Sequence, residues 1–135
     1  MANEPFTLDI VTMKQVVFSG PITSVSAPGS EGYFGIHTGH TPFVSSLQAG
    51  IIRIGKADGT SQALATSGGF LMTDGKKVIL LADTAERPQE IDVARAQAAK
   101  ERAEKRLAER SADTDIDRAK ASLLRAMTRL KAAGK

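Results

Sequence analysis

Residues 51–82 of the chain read IIRIGKADGTSQALATSGGFLMTDGKKVILLA. Apolar runs of strand length follow one another in this stretch, at residues 51–54, 62–66, 70–73 and 78–82. The pairs Asp58-Gly59 and Asp74-Gly75 separate the first run from the second and the third from the fourth. An Asp-Gly pair favours a type I′ turn, which needs a positive φ at both central residues. The stretch therefore predicts two β-hairpins.

The residues before this stretch carry similar signals. Residues 6–11 alternate between apolar and polar side chains, the pattern of a half-buried strand. Two further runs stop at turn residues, 16–19 at Gly20-Pro21 and 22–27 at Pro28-Gly29. Residues 35–42 are rich in turn formers and are expected to form a loop. Short runs at regular spacing, with no helical period between them, favour an antiparallel sandwich or barrel.

The C-terminal part of the sequence predicts two helices. Residues 91–110 contain neither Gly nor Pro and consist mostly of good helix formers. Ser, Asp and Thr gather at residues 111–115, where they favour a cap or a turn. A second helix is expected to begin at Asp115 or Ile116 and to run to about Ala132. The short connection implies that the two helices form an antiparallel hairpin.

The composition of the chain changes near residue 83, between the predicted strands and the predicted helices. Residues 1–82 carry five basic and five acidic side chains, whereas residues 83–135 carry thirteen and ten. Eleven of the twelve glycines and all six aromatic residues lie at or before Gly75. We therefore predict an α+β protein, with a β-sandwich domain over residues 1–84 and an α-helical hairpin over residues 85–135.

The second predicted helix has an apolar stripe and a basic face. The stripe recurs at steps of three and four residues and consists of Ile116, Ala119, Leu123, Met127 and Leu130. Arg118, Arg125 and Arg129 are predicted on the opposite face. Such a face is either solvated or meets an acidic protein surface or a polyphosphate. A nucleic-acid partner is disfavoured, because the sheet region is charge-balanced and no stacking aromatic motif accompanies the arginines.

The composition also excludes several classes of protein. The chain has no cysteine, which excludes disulfide scaffolds, thiolate zinc sites and thiol nucleophiles. It has no run of eighteen apolar residues and no basic, apolar start of the signal-peptide type. With 41% hydrophobic and 24% charged residues among 135, the sequence predicts a folded, soluble, intracellular protein.

A catalytic or metal site is hard to assemble from these residues. His37 and His40 are the only histidines, and Glu31 is the nearest carboxylate, so the ligands of a metal site are incomplete. The glycine-rich segments lack the Gly-Lys-Ser/Thr ending of a phosphate loop and are expected to form turns and bulges. Ser67 has no histidine in a matching nucleophile context. The sequence therefore offers no recognisable catalytic constellation, and the two histidines are expected to serve hydrogen bonding or a contact surface rather than a metal site.

Four motifs in a fixed order resemble those of a known family. They are Glu31-Gly32-x-x-Gly35-Ile36-x-x-Gly39-His40-x-Pro42, Ser67-Gly68-Gly69-Phe70, Ala82-Asp83-x-Ala85-Glu86 and Ile91-Asp92-x-x-Arg95-Ala96. Together they cover nearly the whole chain and resemble the epsilon subunits of bacterial F-type ATP synthases. The resemblance implies a ten-stranded β-sandwich followed by a two-helix hairpin, in a noncatalytic subunit of the central stalk.

The resemblance also implies partners. The sandwich would bind the gamma subunit and rest on the membrane ring of c subunits, with Glu31, Tyr33 and His40 as ring-contact candidates. In some members of the family an acidic residue stands at the position of Tyr33. The hairpin would fold against the sandwich or extend into the catalytic head of alpha and beta subunits, where it inhibits ATP hydrolysis. The residues expected to act there are those of the basic face, Arg118, Arg125 and Arg129. The complex would hold the chain peripherally at the cytoplasmic face of the bacterial plasma membrane.

Some members of the family bind ATP on the folded hairpin as a regulatory ligand. The candidate nucleotide-binding residues by this resemblance are Glu86, Asp92, Arg95, Ala96, Arg102, Arg125 and Arg129. Guanidinium groups suit phosphate oxygens, and Ala96 leaves room for a flat base. A structural explanation also exists, because Asp92 near a helix N-terminus interacts with the helix dipole and Arg95 can pair with it. Two alternatives to the stalk subunit are a free nucleotide-sensing module and a basic-helix binding module.

Overall fold

A computed structural model describes residues 4–135 as ten strands followed by two helices. The strands are β1 (Phe6–Val11), β2 (Val16–Ile22), β3 (Ser24–Gly29), β4 (Gly32–His37), β5 (Phe43–Leu47), β6 (Gly50–Gly55), β7 (Ser61–Thr66), β8 (Gly69–Thr73), β9 (Lys77–Ala82) and β10 (Ala85–Glu86). A 3-10 turn at Pro88–Glu90 leads into α1 (Val93–Ala108), which is followed by α2 (Ile116–Ala132). The predicted α+β class, with a ten-stranded sandwich before a helical hairpin, is confirmed.

The strands pair in the order β10-β7-β6-β3-β5-β8-β9-β1-β2, and β4 pairs with β3. The sheet folds over a core of branched aliphatic side chains that are fully buried, among them Leu8, Ile52, Leu64, Leu71 and Leu80. One pair departs from the predicted antiparallel arrangement, since β1 runs parallel to β9. These two strands lie far apart in the chain, so no hairpin turn dictates their relative direction.

Two segments expected to interrupt the sheet are strands. β2 continues through Gly20-Pro21, because it lies at the edge of the sheet, where a missing N–H is tolerated. β4 occupies part of the glycine-rich segment that was expected to be a loop. Its inward side chains are Phe34 and Ile36, with Gly35 between them. The glycines at positions 32 and 35 fall on opposite sides of the strand, so they hide the period of two in the sequence.

The two Asp-Gly hairpins are confirmed, but the predicted turn type is wrong. Among residues 4–135 only glycines have a positive φ, so Gly59 (+85°) and Gly75 (+100°) are left-handed and the aspartates before them are not. The Asp58 carboxylate accepts from the Thr60 hydroxyl and N–H, and that of Asp74 accepts from the N–H groups of Lys77 and Lys76. These hydrogen bonds lower the pKa of both carboxyl groups below the ordinary value. The aspartates therefore close the turns through their side chains.

Both helices begin at an aspartate cap. The Asp92 carboxylate accepts from the Arg95 N–H, and that of Asp115 accepts from the Arg118 N–H, each at 3.0 Å. The predicted bounds of α2 are confirmed. The first helix is shorter than predicted, because Ile91 is buried in an extended conformation before the cap.

Small side chains hold the hairpin together and place it on the sheet. The buried residues between the helices are alanines, namely Ala96, Ala103, Ala119 and Ala126. They allow close approach of the two helices, and α2 also packs on β6 and β7. The apolar stripe predicted for α2 is wrong at Met127, which is 48% exposed, whereas the neighbouring Thr128 is buried. The reason is that α2 has two packing partners, so its buried face turns toward the sheet as well as toward α1.

The sheet also reaches slightly beyond the predicted domain boundary. Ala85 and Glu86 pair with Thr66 and Ala65 of β7. These two residues belong to the strand layer by hydrogen bonding, although they were assigned to the hairpin domain. The division into independently folding units at residues 1–84 and 85–135 stays a prediction.

Candidate functional site

A cleft of about 430 Å³ lies between α1, α2 and the end of the sheet at β10. We call it the interhelix cleft. The structure brings all seven predicted nucleotide-binding residues together in its lining, which includes Glu86, Asp92, Arg95, Ala96, Arg102, Arg125 and Arg129. They come from three elements that are distant in the sequence, so the docked hairpin is needed to form the cleft.

The cleft exists because the facing helix surfaces carry small residues. Ala96, Ala99 and Ala103 line it from α1, at steps of three and four residues. Ser122 and Ala126 line it from α2. Small side chains leave an apolar floor, and the longer charged side chains stand around it. Such a shape accommodates a flat, mostly apolar ring system with a charged extension.

The charge balance of the cleft favours an anion. Five arginines and three acidic residues line it: Arg95, Arg102, Arg106, Arg125, Arg129, Glu86, Glu90 and Asp92. Among residues 4–135, no hydrogen-bond or ion-pair partner occupies the side chains of Arg95, Arg102 or Arg106. Their forked donors are therefore available to phosphate or carboxylate oxygens.

The other two arginines of the cleft already have side-chain partners. Arg129 Nε donates to Glu86 Oε1 at 2.5 Å, and about a third of each side chain is exposed. Arg125 Nη2 donates to the Ser122 hydroxyl at 3.1 Å. The Arg129–Glu86 ion pair joins α2 to β10. It therefore helps to fix the hairpin on the sheet, within the modest energy of a partly exposed pair.

Two further features of the cleft differ from the sequence reasoning. Asp92 caps α1 through its carboxylate and forms no ion pair with Arg95. Arg106 lines the cleft but was not predicted. Arg106 could have been predicted from the sequence, because it continues the helical series of Arg95, Ala99 and Arg102 on the same side of α1.

The basic face of α2 is only partly exposed while the hairpin is docked. Arg118 is exposed near the turn between the helices, where it lies beside Arg106 and the acidic residues Asp113 and Asp115. Arg125 and Arg129 are half-buried in the cleft. The prediction that all three arginines lie opposite the buried face is therefore wrong for the docked hairpin. The cause is the second packing partner of α2, the sheet, which covers part of this side.

The three ring-contact candidates do not form one patch. Glu31 is exposed in the turn between β3 and β4, and Tyr33 beside it is 59% exposed. His40 follows the other end of β4, which spans about 17 Å at about 3.3 Å per residue. There, His40 Nδ1 donates to the His37 carbonyl at 3.0 Å, and its Nε2 lies 2.6 Å from the Thr73 hydroxyl.

Sequence profiles of known families match both parts of the chain. The ATP synthase delta/epsilon chain beta-sandwich domain matches residues 5–88, and the long alpha-helix domain of the same chain matches residues 89–134. The chain belongs to the ATP synthase delta/epsilon chain family. Curated relatives named ATP synthase epsilon chain include those of Carboxydothermus hydrogenoformans (51% identity, 95% of each chain) and Pelotomaculum thermopropionicum (49%, 100% of each). That of Moorella thermoacetica is 48% identical, over 94% of this chain and 95% of the relative.

Solved structures share the fold of this delta/epsilon family member. A chain of the Euglena gracilis mitochondrial ATP synthase, solved with OSCP, F1 and c-ring, matches with a TM-score of 0.85 at 22% identity, over 100% of this chain and 84% of that chain. A chain from the central stalk and c-ring of the Tetrahymena thermophila mitochondrial ATP synthase matches with a TM-score of 0.64 at 12% identity, over 98% and 99%. At these identities the likeness shows the fold alone.

One surface of this family member was not predicted from its sequence. Val44, Phe70, Met72 and Leu81 are exposed on the outer side of β5, β8 and β9, and we call them the outer apolar face. The strand register sets Val44 opposite Met72 and Phe70 opposite Leu81, so the four side chains are neighbours. The sequence signal for this face is that successive residues of these strands are apolar, which places apolar side chains on both faces of the sheet. A contiguous exposed apolar patch is a candidate interaction surface.

The described residues hold no helix that could cross a membrane. Neither α1 nor α2 has an apolar stretch of the necessary length.

Proposed function

We propose that this chain is a noncatalytic central-stalk subunit of a proton-translocating F-type ATP synthase. It couples rotation between the catalytic head and the c-ring, peripherally at the cytoplasmic face of the bacterial plasma membrane. Family membership and 43–51% identity to ATP synthase epsilon chains support this role. In this proposal the chain contacts the gamma subunit, the c-ring and the alpha and beta subunits.

The gamma subunit is the proposed partner of the outer apolar face. This face lies on the side of the sandwich formed by β5, β8 and β9, whereas α2 packs on β6 and β7. A partner can therefore stay bound there while the hairpin docks or leaves. For the c-ring we propose Glu31 with Tyr33 and, separately, His40, because these lie at opposite ends of β4.

Regulation by ATP is proposed for the interhelix cleft. The observation that carries it is the convergence of all seven predicted nucleotide-binding residues on one cleft with an excess of arginine. ATP bound there would contact α1, α2 and β10 together. A ligand that binds only the docked hairpin stabilises that state by RT ln(1 + [L]/Kd), so the stabilisation grows with the ATP concentration. The chain would then sense the ATP concentration without a required cofactor.

Inhibition of hydrolysis is proposed for the hairpin after it leaves the sheet. In the docked state Arg125 and Arg129 are engaged within the cleft. Release would expose them beside Arg118 as one basic surface, which suits an acidic segment of the beta subunit. Because the same two arginines serve ATP and the acidic partner, the two bound states exclude each other. The half-burial of these arginines also disfavours a basic-helix binding module as the function of the docked form.

Copurification from a membrane fraction tests the stalk assignment against a free nucleotide-sensing module. We expect the full chain to be retained with gamma and c subunits. Phe70→Glu places a charge in the proposed gamma contact, which costs about 2 kcal/mol or more and should reduce gamma retention at least about tenfold. Leu124→Glu is the matched control, because Leu124 is an exposed apolar residue of α2 outside that face. Copurification with neither subunit would contradict the stalk assignment. Equal retention of gamma by the Phe70→Glu variant would contradict the outer apolar face as the gamma contact.

A further inference from the structure

A second cavity, of about 470 Å³, lies on the other side of α2 from the interhelix cleft. Its walls are α1, α2, the turn before β6 and the side chain of Tyr33. At 100° per residue, the α2 side chains that line the two spaces point in opposite directions. A ligand of this cavity would therefore be distinct from a ligand of the cleft. We call it the lysine-rimmed cavity.

The wall formed by α2 includes two apolar side chains that are open to solvent. Leu124 is 42% exposed and Met127 is 48% exposed, although each lies beside the sheet domain. Covering such surface is favourable, because apolar area is removed from water. The unbranched, flexible side chain of Met127 can adapt to the shape of an apolar ligand. The volume is also within the range of about 300–1,000 Å³ that is usual for small-molecule sites.

The charged side chains of the lining are all positive. Lys100, Lys131 and Lys135 line the cavity, and no acidic side chain does so. Within residues 4–135, none of the three lysines forms a salt bridge. The Tyr33 hydroxyl accepts a hydrogen bond from the Ile51 N–H at 2.9 Å, which leaves its own proton to donate. The cavity therefore offers an anion several donors beside an apolar wall.

We propose that the lysine-rimmed cavity binds an amphipathic carboxylate with one short acyl chain. The chain lies on Leu124 and Met127, and the carboxylate accepts from the Tyr33 hydroxyl and from the lysine ammonium groups. Charge complementarity selects an anion over a neutral amphiphile. The volume of about 470 Å³ suffices for one short acyl chain with its carboxylate. A ligand here contacts the sheet domain and both helices, so it also favours the docked hairpin. The binding itself does not depend on the proposed stalk function.

Calorimetric titration of the full chain with decanoate, below the concentration at which it forms micelles, tests this assignment. We expect saturable binding by the wild type at one site. Met127→Glu places a second carboxylate beside that of the ligand, at an exposed position, and should weaken binding tenfold or more. Met127→Leu keeps an apolar side chain there and should retain the affinity. Lys131→Gln should weaken binding about two- to fivefold, as expected for one exposed charge contact. Lys120→Gln is the matched control, since Lys120 is an exposed lysine of α2 outside the cavity.

Two other probes separate the chemical parts of the assignment. Decanol, which has the chain without the charge, should bind at least about threefold more weakly than decanoate. Vesicles of phosphatidylglycerol should not retain the protein or compete with decanoate. The proposal is overturned by absence of decanoate binding at millimolar concentration, or by unchanged affinity in well-folded Met127→Glu and Lys131→Gln variants. Equal affinity for decanol, or stronger binding to the vesicles, also overturns it.

Discussion

Replacement of Arg125 by Ala is expected to weaken ATP binding by the full chain about ten- to a hundredfold. A hydrogen bond to a charged group contributes about 1.5–3 kcal/mol, and each 1.4 kcal/mol is about tenfold in affinity. Arg125 is half-buried on the α2 side of the interhelix cleft, so its guanidinium group is less screened by water than that of a surface arginine. Arg95→Ala should have a similar effect from the α1 side. Titration calorimetry of the purified chain measures both affinities.

The structure supplies matched controls for this prediction. Arg95 has no side-chain partner among residues 4–135, so its replacement should leave the docked hairpin intact. Arg129→Ala is less informative, because it also leaves the half-buried Glu86 without its partner. Arg110→Ala serves as the control, since Arg110 lies outside the cleft and donates to the Leu107 carbonyl. Absence of ATP binding by the wild type at millimolar ligand would reject the nucleotide site.

Replacement of Arg118, Arg125 and Arg129 together by Ala should relieve inhibition of ATP hydrolysis in the reconstituted complex. Each exposed ion pair contributes about 0.2–1 kcal/mol, so the triple change should weaken the inhibited state by about threefold to a hundredfold. Ala retains helix propensity, and circular dichroism checks that the hairpin is still helical. Lys120→Ala is the control for loss of a basic residue of α2 outside this face.

A single variant separates inhibition from nucleotide binding. Arg118 does not line the interhelix cleft, whereas Arg125 and Arg129 do. Arg118→Ala should therefore weaken inhibition modestly and leave ATP affinity unchanged. If a well-folded triple variant inhibits as strongly as the wild type, the electrostatic mechanism is wrong and steric insertion of the hairpin is the better explanation.

The elements of this fold that depend on local chemistry could be predicted from the sequence. The Asp-Gly pairs place two hairpins, because a short turn fixes the pairing of the strands beside it. Asp115 and the following helix formers place α2 to within a residue. β4 and the continuation of β2 could not be predicted, since glycine and proline signal turns locally while edge position and inward packing decide otherwise.

The residues of the interhelix cleft could be predicted, but the exposure of their side chains could not. The seven cleft residues were selected by resemblance, and the structure brings them together. The exposure of each side chain depends on which elements pack around it, and the helical period of the sequence does not show which elements those are. Periodicity assigns α2 one buried side, but the sheet and α1 together cover Thr128 and half-bury Arg129, and they leave Met127 exposed. The outer apolar face was missed because alternation along one strand does not show which side another layer covers.

In the proposed mechanism, the hairpin restrains hydrolysis when it leaves the sheet, and ATP keeps it docked. The most direct measurement is ATP hydrolysis by the complex reconstituted with the full chain or with a chain that ends after Arg87, which retains β10. At micromolar ATP we predict slower hydrolysis with the full chain, and at millimolar ATP a much smaller difference. Equal rates with the two chains at both ATP concentrations, with both chains retained on gamma, would show that the hairpin does not restrain hydrolysis.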